Sequence, residues 1–463
     1  MTRVRIAPSP TGRLHIGTAR TALYNFIFAR QTSGTFIVRI EDTDRERSRP
    51  EFEKDIRDGL RALGIVEDEF YRQSERTHLY RASLEKLLGE GKAFYCAHGH
   101  EELEKEAASQ RAAGEPPRHI CPERGSNLTS GILRLKNDAE GAIIVDDIIR
   151  GGVEYQADLL GDFSLAKSLE EPLYNFAVVI DDQELKITHI IRGEDHLSNT
   201  PKQILIMRAL GYPLPRWAHL PLLLNPDRSK LSKRQGASPI LDLLYKEGYL
   251  PEALLNFTVL LGWHPKDEVG EILDLETMKR EFSLERVQKG GAVVSYSKLD
   301  WLNKEYVKRA SPDTLLMHLQ KVASSEFLKL YSQTELRKIM DTLRTRITKL
   351  SEVEREAKEI FEFQRYSKDL LLWDGKIEAE QAAVIIDELV KILSGINTGD
   401  FTQKGLEYAL GPLIEKHGKG NVLWPLRAAL SGKKASLGPY ELADILGKNE
   451  SVKRLKIARD MLS

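Results

Sequence analysis

The order of elements in the first ninety or so residues constrains this chain most. A short apolar run, Val4–Ala7, is broken by "PSPTG", with two prolines and a glycine. From Thr18 to Arg30 the pattern turns helical, with Ala19, Ala22, Leu23, Phe26 and Ile27 recurring on one face. A second apolar run, Phe36–Ile40, follows, and Phe52, Ile56, Leu60 and Leu63 then mark another helix ending near Gly64. Strand, helix and strand at this spacing predict a βαβ unit with a parallel sheet.

Past about Gly89 the character changes. A Cys/His-bearing stretch leads into the polar, helical-looking "EELEKEAASQRAAGEPP" and then into β-rich pieces: "GILRLK", "AIIVDDII" and "GVEYQ". This reads as an insertion reaching to about Tyr174. The α/β pattern resumes with "NFAVVIDD" and "ITHIIRGED", and a helix start is expected with Thr200 as N-cap, Pro201 at N1 and Gln203 at N3. His219–Leu224 is expected to be a further buried strand, and after about Ala237 the pattern is almost wholly helical.

At 463 residues the chain is too long for one ordinary core, and at roughly 100–200 residues per domain it should hold two to four. Apolar residues at 41% and charged ones at 30% fit a globular protein. No run of ~18 apolar residues is present, so no membrane-spanning helix is expected. Met1 leads directly into "TRVRIAPSPTG", without a signal-like apolar stretch, so export and organelle import are not expected. Two cysteines, Cys96 and Cys121, cannot make a disulfide framework and suit a reducing cytoplasm. The net charge of −1 does not announce a nucleic-acid partner; a polyanion would have to meet local patches. Residues 301–350 hold ten Lys and Arg against five Asp and Glu, and residues 351–390 hold five against eleven. A solvated helical surface explains either block alone. Side by side, they are also what a helical body with one RNA-facing side would show.

Two short elements carry candidate chemistry. In "RLHIGTAR", a strand ends, the backbone turns through Gly12, and His15–Thr18 opens a helix. A helix N-terminus offers free N–H groups and partial positive charge, which suits phosphate. Gly17 lets a purine or phosphate approach bare backbone, and His15 adds a side-chain donor. An ordinary turn with a surface histidine is the plainer alternative. In "DRSKLSKRQG" (Asp227–Gly236), Arg228, Lys230, Lys233 and Arg234 place four positive charges on one loop, able to close over a triphosphate or simply to be solvated.

Together, the two resemble the HIGH and KMSKS pair of class I aminoacyl-tRNA synthetases. More narrowly, "RIAPSPTGRLHIGTAR", "FIVRIEDTDRER", "YRQSER", "ITHIIRGEDHLSNTPKQ", "LPLLLNPDRSKLSKR" and "PLRAALSG" resemble the bacterial glutamyl-tRNA synthetase family, in the family's order and over nearly the whole chain. "HIGT" and "KLSKR" stand where the generic motifs read HIGH and KMSKS. The resemblance implies an α/β Rossmann-like catalytic domain with an α+β insertion, followed by an all-α C-terminal anticodon-binding domain. The divisions expected are 1–88 and 175–222 for the catalytic halves, 89–174 for an acceptor-arm-binding insertion, 223–310 for the KLSKR loop and stem-contact region, and 311–463 for the helical domain.

The same resemblance implies ATP-dependent ligation of L-glutamate to tRNA(Glu), through a glutamyl-adenylate, with Mg²⁺ supplied with the nucleotide. Matching positions for glutamate are Arg5, Ala7, Ser9, Glu41, Tyr174, Val178 and Arg192, with Tyr174 and Arg192 on the resumed sheet. Glu41 can accept from an ammonium, while Arg5 and Arg192 can fork onto carboxylates; a surface salt bridge is the bland reading of each arginine. His15, Gly17, Asp195 and Lys233 match ATP-side positions, with Thr18 and Lys230 beside them. Asp44, Arg47, Arg346 and Arg427 match tRNA-contacting positions, the last two toward the anticodon. Cys96, His98, His119 and Cys121 form a C-x-H…H-x-C set adequate for tetrahedral Zn²⁺, the alternative being ordinary thiols and surface histidines. A cytoplasmic monomer is expected. The remaining alternatives are an enzyme that also charges tRNA(Gln) and a tRNA-binding relative without catalysis; intact "HIGT", "KLSKR", Glu41 and Arg192 speak against the latter.

Overall fold

A computed structural model describes residues 1–231, 238–363 and 365–462. Contacts divide the chain into two units, Met1–Leu244 with Pro251–Leu302 and Tyr245–Leu250 with Asn303–Ser463.

The first unit begins with β1 (Arg3–Ile6), α1 (Ile16–Gln31), β2 (Thr35–Ile40), α2 (Pro50–Ala62) and β3 (Glu69–Arg72), the three strands parallel in the order β1-β2-β3. This is the βαβ unit that the apolar spacing predicts. All six residues of β2 are buried, as a central parallel strand covered on both faces requires. Helix α3 (Thr77–Gly89) then leads into β4 (Ala93–Cys96), α4 (His100–Ala112), β5 (Ile132–Leu135), the hairpin β6 (Ala142–Asp147) and β7 (Gly151–Gln156), β8 (Ser164–Ser168) and β9 (Glu171–Pro172). Strands β4, β5, β8 and β9 form an antiparallel sheet. The polar segment expected to be helical is so only to Ala112, because Gly114 turns at φ +77° ahead of two prolines.

The parallel sheet resumes after α5 (Tyr174–Glu184) with β10 (His189–Gly193), α6 (Thr200–Leu210) and β11 (Arg216–Leu220). Thr188 joins β10 to β1: its N–H donates to the Arg3 carbonyl at 2.9 Å, and its hydroxyl accepts from the Arg3 N–H at 3.0 Å. The paired orders are β3-β2-β1 and β10-β11-β6-β7, joined edge to edge by Thr188, so the order of strands along the chain changes direction between β1 and β10. In such sheets, ligands bind at the carboxyl ends of the strands beside the reversal.

Three local expectations are corrected. "NFAVVIDD" is not strand but the body of α5; Phe176–Asp182 are buried all round, so no helical period shows in the sequence. Tyr174 therefore opens a helix rather than lying on the sheet. Thr200 does not cap its helix, being itself helical, and the hydroxyl turns instead to Arg192 and His219. The run His219–Leu224 is interrupted at Pro221, which has no N–H for a ladder; beyond it, β12 (Leu223–Leu224) pairs with β13 (Ala292–Val293).

Helix α1 is buried on nearly every side, and against it packs α8 (Pro251–Val259), the next helix after α7 (Ile240–Tyr245). The Tyr24 hydroxyl lies 3.0 Å from the carbonyls of Val259 and Leu261, and its ring meets Phe282 edge-on at 5.0 Å. Fully buried Trp263 stacks at a tilt on the same Phe282, 5.6 Å between centroids.

The second unit is helical, with helices over Pro312–Val322, Gln333–Leu343, Ala379–Gly395, Gln403–His417, Lys419–Ser431 and Pro439–Leu462, the last kinked at Gly447. Buried Arg454 closes it, donating to the carbonyls of Ile360, Leu430 and Phe361. Among the described residues, no helix is long and apolar enough to cross a membrane.

Replacing Trp263 by Ala should leave a cavity beneath α1 costing about 3–5 kcal/mol. Thermal melting by far-UV circular dichroism checks this, and an unchanged midpoint for the first transition would contradict the packing described.

Candidate active site

A cleft of about 670 Å³ opens at the carboxyl ends of β1 and β10, at the strand reversal. Of the sequence-derived candidates, Arg5, Ala7, Ser9, His15, Gly17, Thr18, Glu41, Tyr174, Arg192, Asp195 and Lys230 all line it. The structure does not bring Val178 there; it is packed in the core on α5. Lys233, with Ser232 and Arg234, lies outside the described residues. The start of that loop is described: the chain turns over Asn225–Ser229, Asp227 accepts from Ser229, and Leu231 returns to donate to Leu223. This delivers exposed Lys230 to the cleft mouth.

His15 is the N-cap of α1. Its extended backbone (φ −119°) turns the ring back so that Nδ1 accepts from the Gly17 N–H at 3.1 Å, while Nε2 lies 3.3 Å from the Thr18 hydroxyl. The ring is thereby fixed beside the partial positive charge of the helix end. A Cβ at position 17 would stand 3.1 Å from the His15 ring, so glycine there makes room for this cap as well as for a ligand.

Beneath the cleft floor runs a buried ion cluster. Asp182, on α5, accepts from Arg5 Nε and Nη2 at 3.1 and 3.2 Å and from Arg39 Nη1 at 2.6 Å. Arg39, wholly buried in β2, also reaches Glu41 at 3.2 Å and Asp181 at 3.6 Å. Asp181 is held in turn by Gln73 at 2.8 Å, Arg76 at 2.6 Å and the Tyr80 hydroxyl at 2.8 Å. Burial works against every charge here. For Asp182, the opposing pull of Arg5 and Arg39 wins and holds the carboxyl below its usual range. For Glu41, burial wins: its carboxyl is pushed up although Arg39 and Arg5 draw it down. An ammonium docking on Glu41 would restore the balance.

Arg192, at the end of β10, is held differently. Its Nε donates to His219 Nε2 at 3.1 Å and its Nη2 to the Thr200 hydroxyl at 2.8 Å, and Nη1 is buried without a partner among the described residues. Beside it, the Tyr174 hydroxyl meets His196 Nδ1 at 3.0 Å. Burial pushes the Tyr174 phenol up to about 12, and burial with the nearby Arg192 lowers His196 to about 4, so both are neutral at pH 7.

None of the nucleic-acid candidates lines the cleft. Asp44 and Arg47 pair with each other on an exposed turn after β2, with Arg47 Nε to Asp44 Oδ2 at 2.6 Å. In the helical unit, Arg346 donates to Glu441 at 3.0 Å; Arg427 lies 4.6 Å over the Trp424 ring and donates to the Lys434 carbonyl at 2.9 Å.

Cys96, His98, His119 and Cys121 do come together, each offering a ligand atom within 4.8 Å of all the others. Cys96 Sγ is 3.5 Å from His98 Nδ1 and 3.7 Å from His119 Nε2, and Cys121 Sγ is 3.7 Å from His98 Nδ1. Donor atoms around a tetrahedral zinc are roughly 3.3–3.8 Å apart, so these three spacings suit it, while the set as a whole spans up to 4.8 Å. His119 Nδ1 also meets the Glu106 carboxylate at 2.6 Å, the outer contact that orients a metal-bound imidazole.

Sequence reasoning missed Arg39, Asp181, Asp182, Asp147, Thr200 as an arginine partner and His219. A signal was present for several of them. An arginine inside "FIVRI" and two aspartates closing "NFAVVIDD" are charges in stretches otherwise read as buried, and a buried charge needs a partner.

Truncating Asp182 to Ala would leave buried Arg5 without its carboxylate and take from Arg39 one of its three, and should destabilise the first unit by about 3–5 kcal/mol, while Asn, which still accepts, costs less. Chemical denaturation of the two variants checks the order; equal stabilities would contradict it.

Comparison with known proteins agrees with this geometry. Residues 1–301 match the family "tRNA synthetases class I (E and Q), catalytic domain", and residues 308–459 match an anticodon binding domain. The glutamate–tRNA ligase of Carboxydothermus hydrogenoformans is 41% identical over 486 residues, covering 98% of this chain and 99% of that one. That of Trichormus variabilis is 40% identical, covering 93% of each chain. A crystal structure of a glutamate tRNA ligase from Elizabethkingia meningosepticum, in complex with its amino acid, superposes with a TM-score of 0.85 at 32% identity and covers 100% of both chains. The parallel sheet with its cleft at the reversal, the histidine-capped α1 and the helical second unit thus have their place in a known enzyme family: the chain belongs to the glutamate–tRNA ligases, among the class I tRNA synthetases.

Proposed function

We propose that this protein joins L-glutamate to tRNA(Glu) at the expense of ATP, and that the cleft at the β1–β10 reversal is where both steps occur. The observation that carries the reading is the convergence of Arg5, Arg192 and Glu41 on one cleft that also holds the N-terminus of α1. Two guanidinium groups suit carboxylates, the buried carboxylate suits the substrate ammonium, and the helix end suits phosphate. Ala7 and Ser9 supply close-approach wall, Tyr174 a neutral donor, and Val178 apolar backing from α5.

In the first step, an oxygen of the glutamate α-carboxylate attacks the α-phosphorus of ATP. The new P–O bond replaces the bond to pyrophosphate, which leaves with its charge. No side chain need move a proton. His15, Gly17, Thr18 and Asp195 align the nucleotide, and Lys230 and Lys233 neutralise the departing charge. Mg²⁺ carried by the nucleotide would offset phosphate charge. In the second step, a hydroxyl of the terminal tRNA ribose attacks the adenylate carbonyl, loses its proton and releases AMP. A carboxylate-selecting pair of arginines leaves a glutamine amide poorly matched, whereas aspartate, one methylene shorter, differs by only ~1–3 kcal/mol in contacts.

The segment 89–174 receives the acceptor arm in this reading, with Asp44 and Arg47 of the first catalytic half as further tRNA contacts. Residues 311–463 read the anticodon, with Arg346 and Arg427 as the base-facing guanidiniums. Cys96, His98, His119 and Cys121 would hold a Zn²⁺ with all four positions filled by protein, a structural rather than a catalytic ion. Two cysteines without a disulfide framework suit a reducing cytoplasm, and no long apolar heptad in the sequence asks for a dimer.

Charging assays with labelled glutamate, ATP and purified tRNAs test the function. Charging of tRNA(Glu) alone is expected; charging of tRNA(Gln) as well would mark a non-discriminating enzyme, and no charging by folded protein would overturn the reading. His15→Ala should lower kcat on the order of 10²–10³-fold, as for loss of one aligned donor. Elemental analysis of reduced protein should find about one zinc per chain, lost in Cys96→Ala; a zinc-free protein with intact thiols removes the metal.

A further inference from the structure

The two arginines of the cleft are held by opposite means. Arg5 is forked by Asp182, an anion that cancels much of its charge. Arg192 has no carboxylate within ion-pair distance among the described residues; its partners are the imidazole of His219, the hydroxyl of Thr200 and, at 3.4 Å, the carbonyl of His196. All are neutral acceptors.

The imidazole is set from behind. His219 is fully buried, and its Nδ1 lies 2.6 Å from Oδ2 of Asp147, which is also fully buried and closes β6. Asp147 additionally accepts from the backbone N–H groups of Ile149 at 2.9 Å, Arg150 at 2.8 Å and His219 at 3.0 Å. A carboxylate so surrounded by donors only accepts. His219 therefore carries its proton on Nδ1, and Nε2 is left as a lone pair facing Arg192 Nε–H. The groups around this pair are Arg192, Arg150, whose Nε reaches the His219 carbonyl at 3.3 Å, and the Thr200 hydroxyl at 3.2 Å from Nε2. Burial, Arg192 and Arg150 all disfavour a charged imidazole, against the pull of Asp147, and His219 is lowered from its ordinary value.

We infer that His219, fixed by Asp147, is a positioning residue that orients Arg192 without neutralising it, so that the charge of Arg192 remains available to a substrate carboxylate. A carboxylate in the place of His219 would hold the guanidinium as firmly but would satisfy its charge in advance. The neutral acceptor leaves a buried cation whose Nη1 has no partner among the described residues, and a ligand carboxylate is the group that best completes it. A carboxamide would supply the acceptor without the charge. The arrangement thus favours glutamate over glutamine, and Asp147, which sets it, comes from β6, in the segment between the two halves of the parallel sheet. This inference rests on the proposed reading of the cleft as the glutamate site.

The test is steady-state charging by the full chain with His219→Leu, His219→Gln and Arg192→Ala. His219→Leu should raise KM for glutamate about 10- to 100-fold, as for a lost hydrogen bond to a charged group, with KM for ATP and kcat within about threefold. His219→Gln, whose amide can donate to Asp147 and accept from Arg192, should recover most of the loss. A uniform fall in all parameters, or no rescue by Gln, would overturn the inference and leave His219 a packing residue. If Arg192→Ala raises KM for glutamate while His219→Leu does not, the positioning role fails alone. If Arg192→Ala has no effect either, the glutamate-site reading fails. Should His219→Leu not fold, nitrogen-15 spectra of histidine-labelled wild-type protein decide: His219 should read as a neutral ring protonated at Nδ1, and a ring protonated at Nε2 overturns the inference.

Discussion

The Arg5 and Glu41 side of the cleft depends on two adjacent aspartates near the end of a buried helix. Asp181 and Asp182 hang from α5 into a space where Arg5, Arg39 and Arg76 meet them. Such a cluster is weak grounds for stability, since replacing a whole buried ionic group with apolar side chains often costs nothing. Its value is in position. Asp182 fixes Arg5 on β1, and Arg39 bridges to Glu41 beyond β2, so two cleft-facing groups from different strands are set by one carboxylate. Asp181 extends the same lock to Gln73 and Arg76, beyond β3. Three parallel strands and one helix are thereby held in a single register at the end where ligands bind.

This gives the short motifs a physical meaning. "YRQSER" contributes Gln73 and Arg76 to the support of Asp181 rather than to the cleft itself. "ITHIIRGED" places Arg192 at the lip of β10, and "HLPLLL" opens with the histidine that orients it. The histidine of "HIGT" caps its own helix before it can serve any ligand.

Much of this was legible in the sequence, and the failures have causes. The βαβ start is legible because α1 shows its helical period between "PSPTG" and Gly34, and β2 is a short apolar run directly after Gly34. Tyr174 was placed on a strand because α5 is buried all round, so its apolar residues run on without a helical repeat. Thr200 has the composition of an N-cap, yet a short 3₁₀ turn precedes it, and its hydroxyl is drawn to Arg192. The Asp147–His219–Arg192 chain joins residues far apart in sequence, and no local pattern records such a pairing. The cleft-lining residues were found through family resemblance, but the charges beneath them could be found only by asking what a buried arginine in β2 pairs with.

The cleft is set in advance by this buried network, and a crystal structure with glutamate and a non-hydrolysable ATP analogue tests this most directly. Expected are carboxylate oxygens on Arg5 and Arg192, the ammonium on Glu41, and a phosphate against the Gly17 end of α1. The Arg5, Glu41 and Arg192 side chains should stay within about 1 Å of their present places, as in other preformed sites. Glutamate bound elsewhere, or an Arg192 swung away from His219 to reach it, would contradict the account.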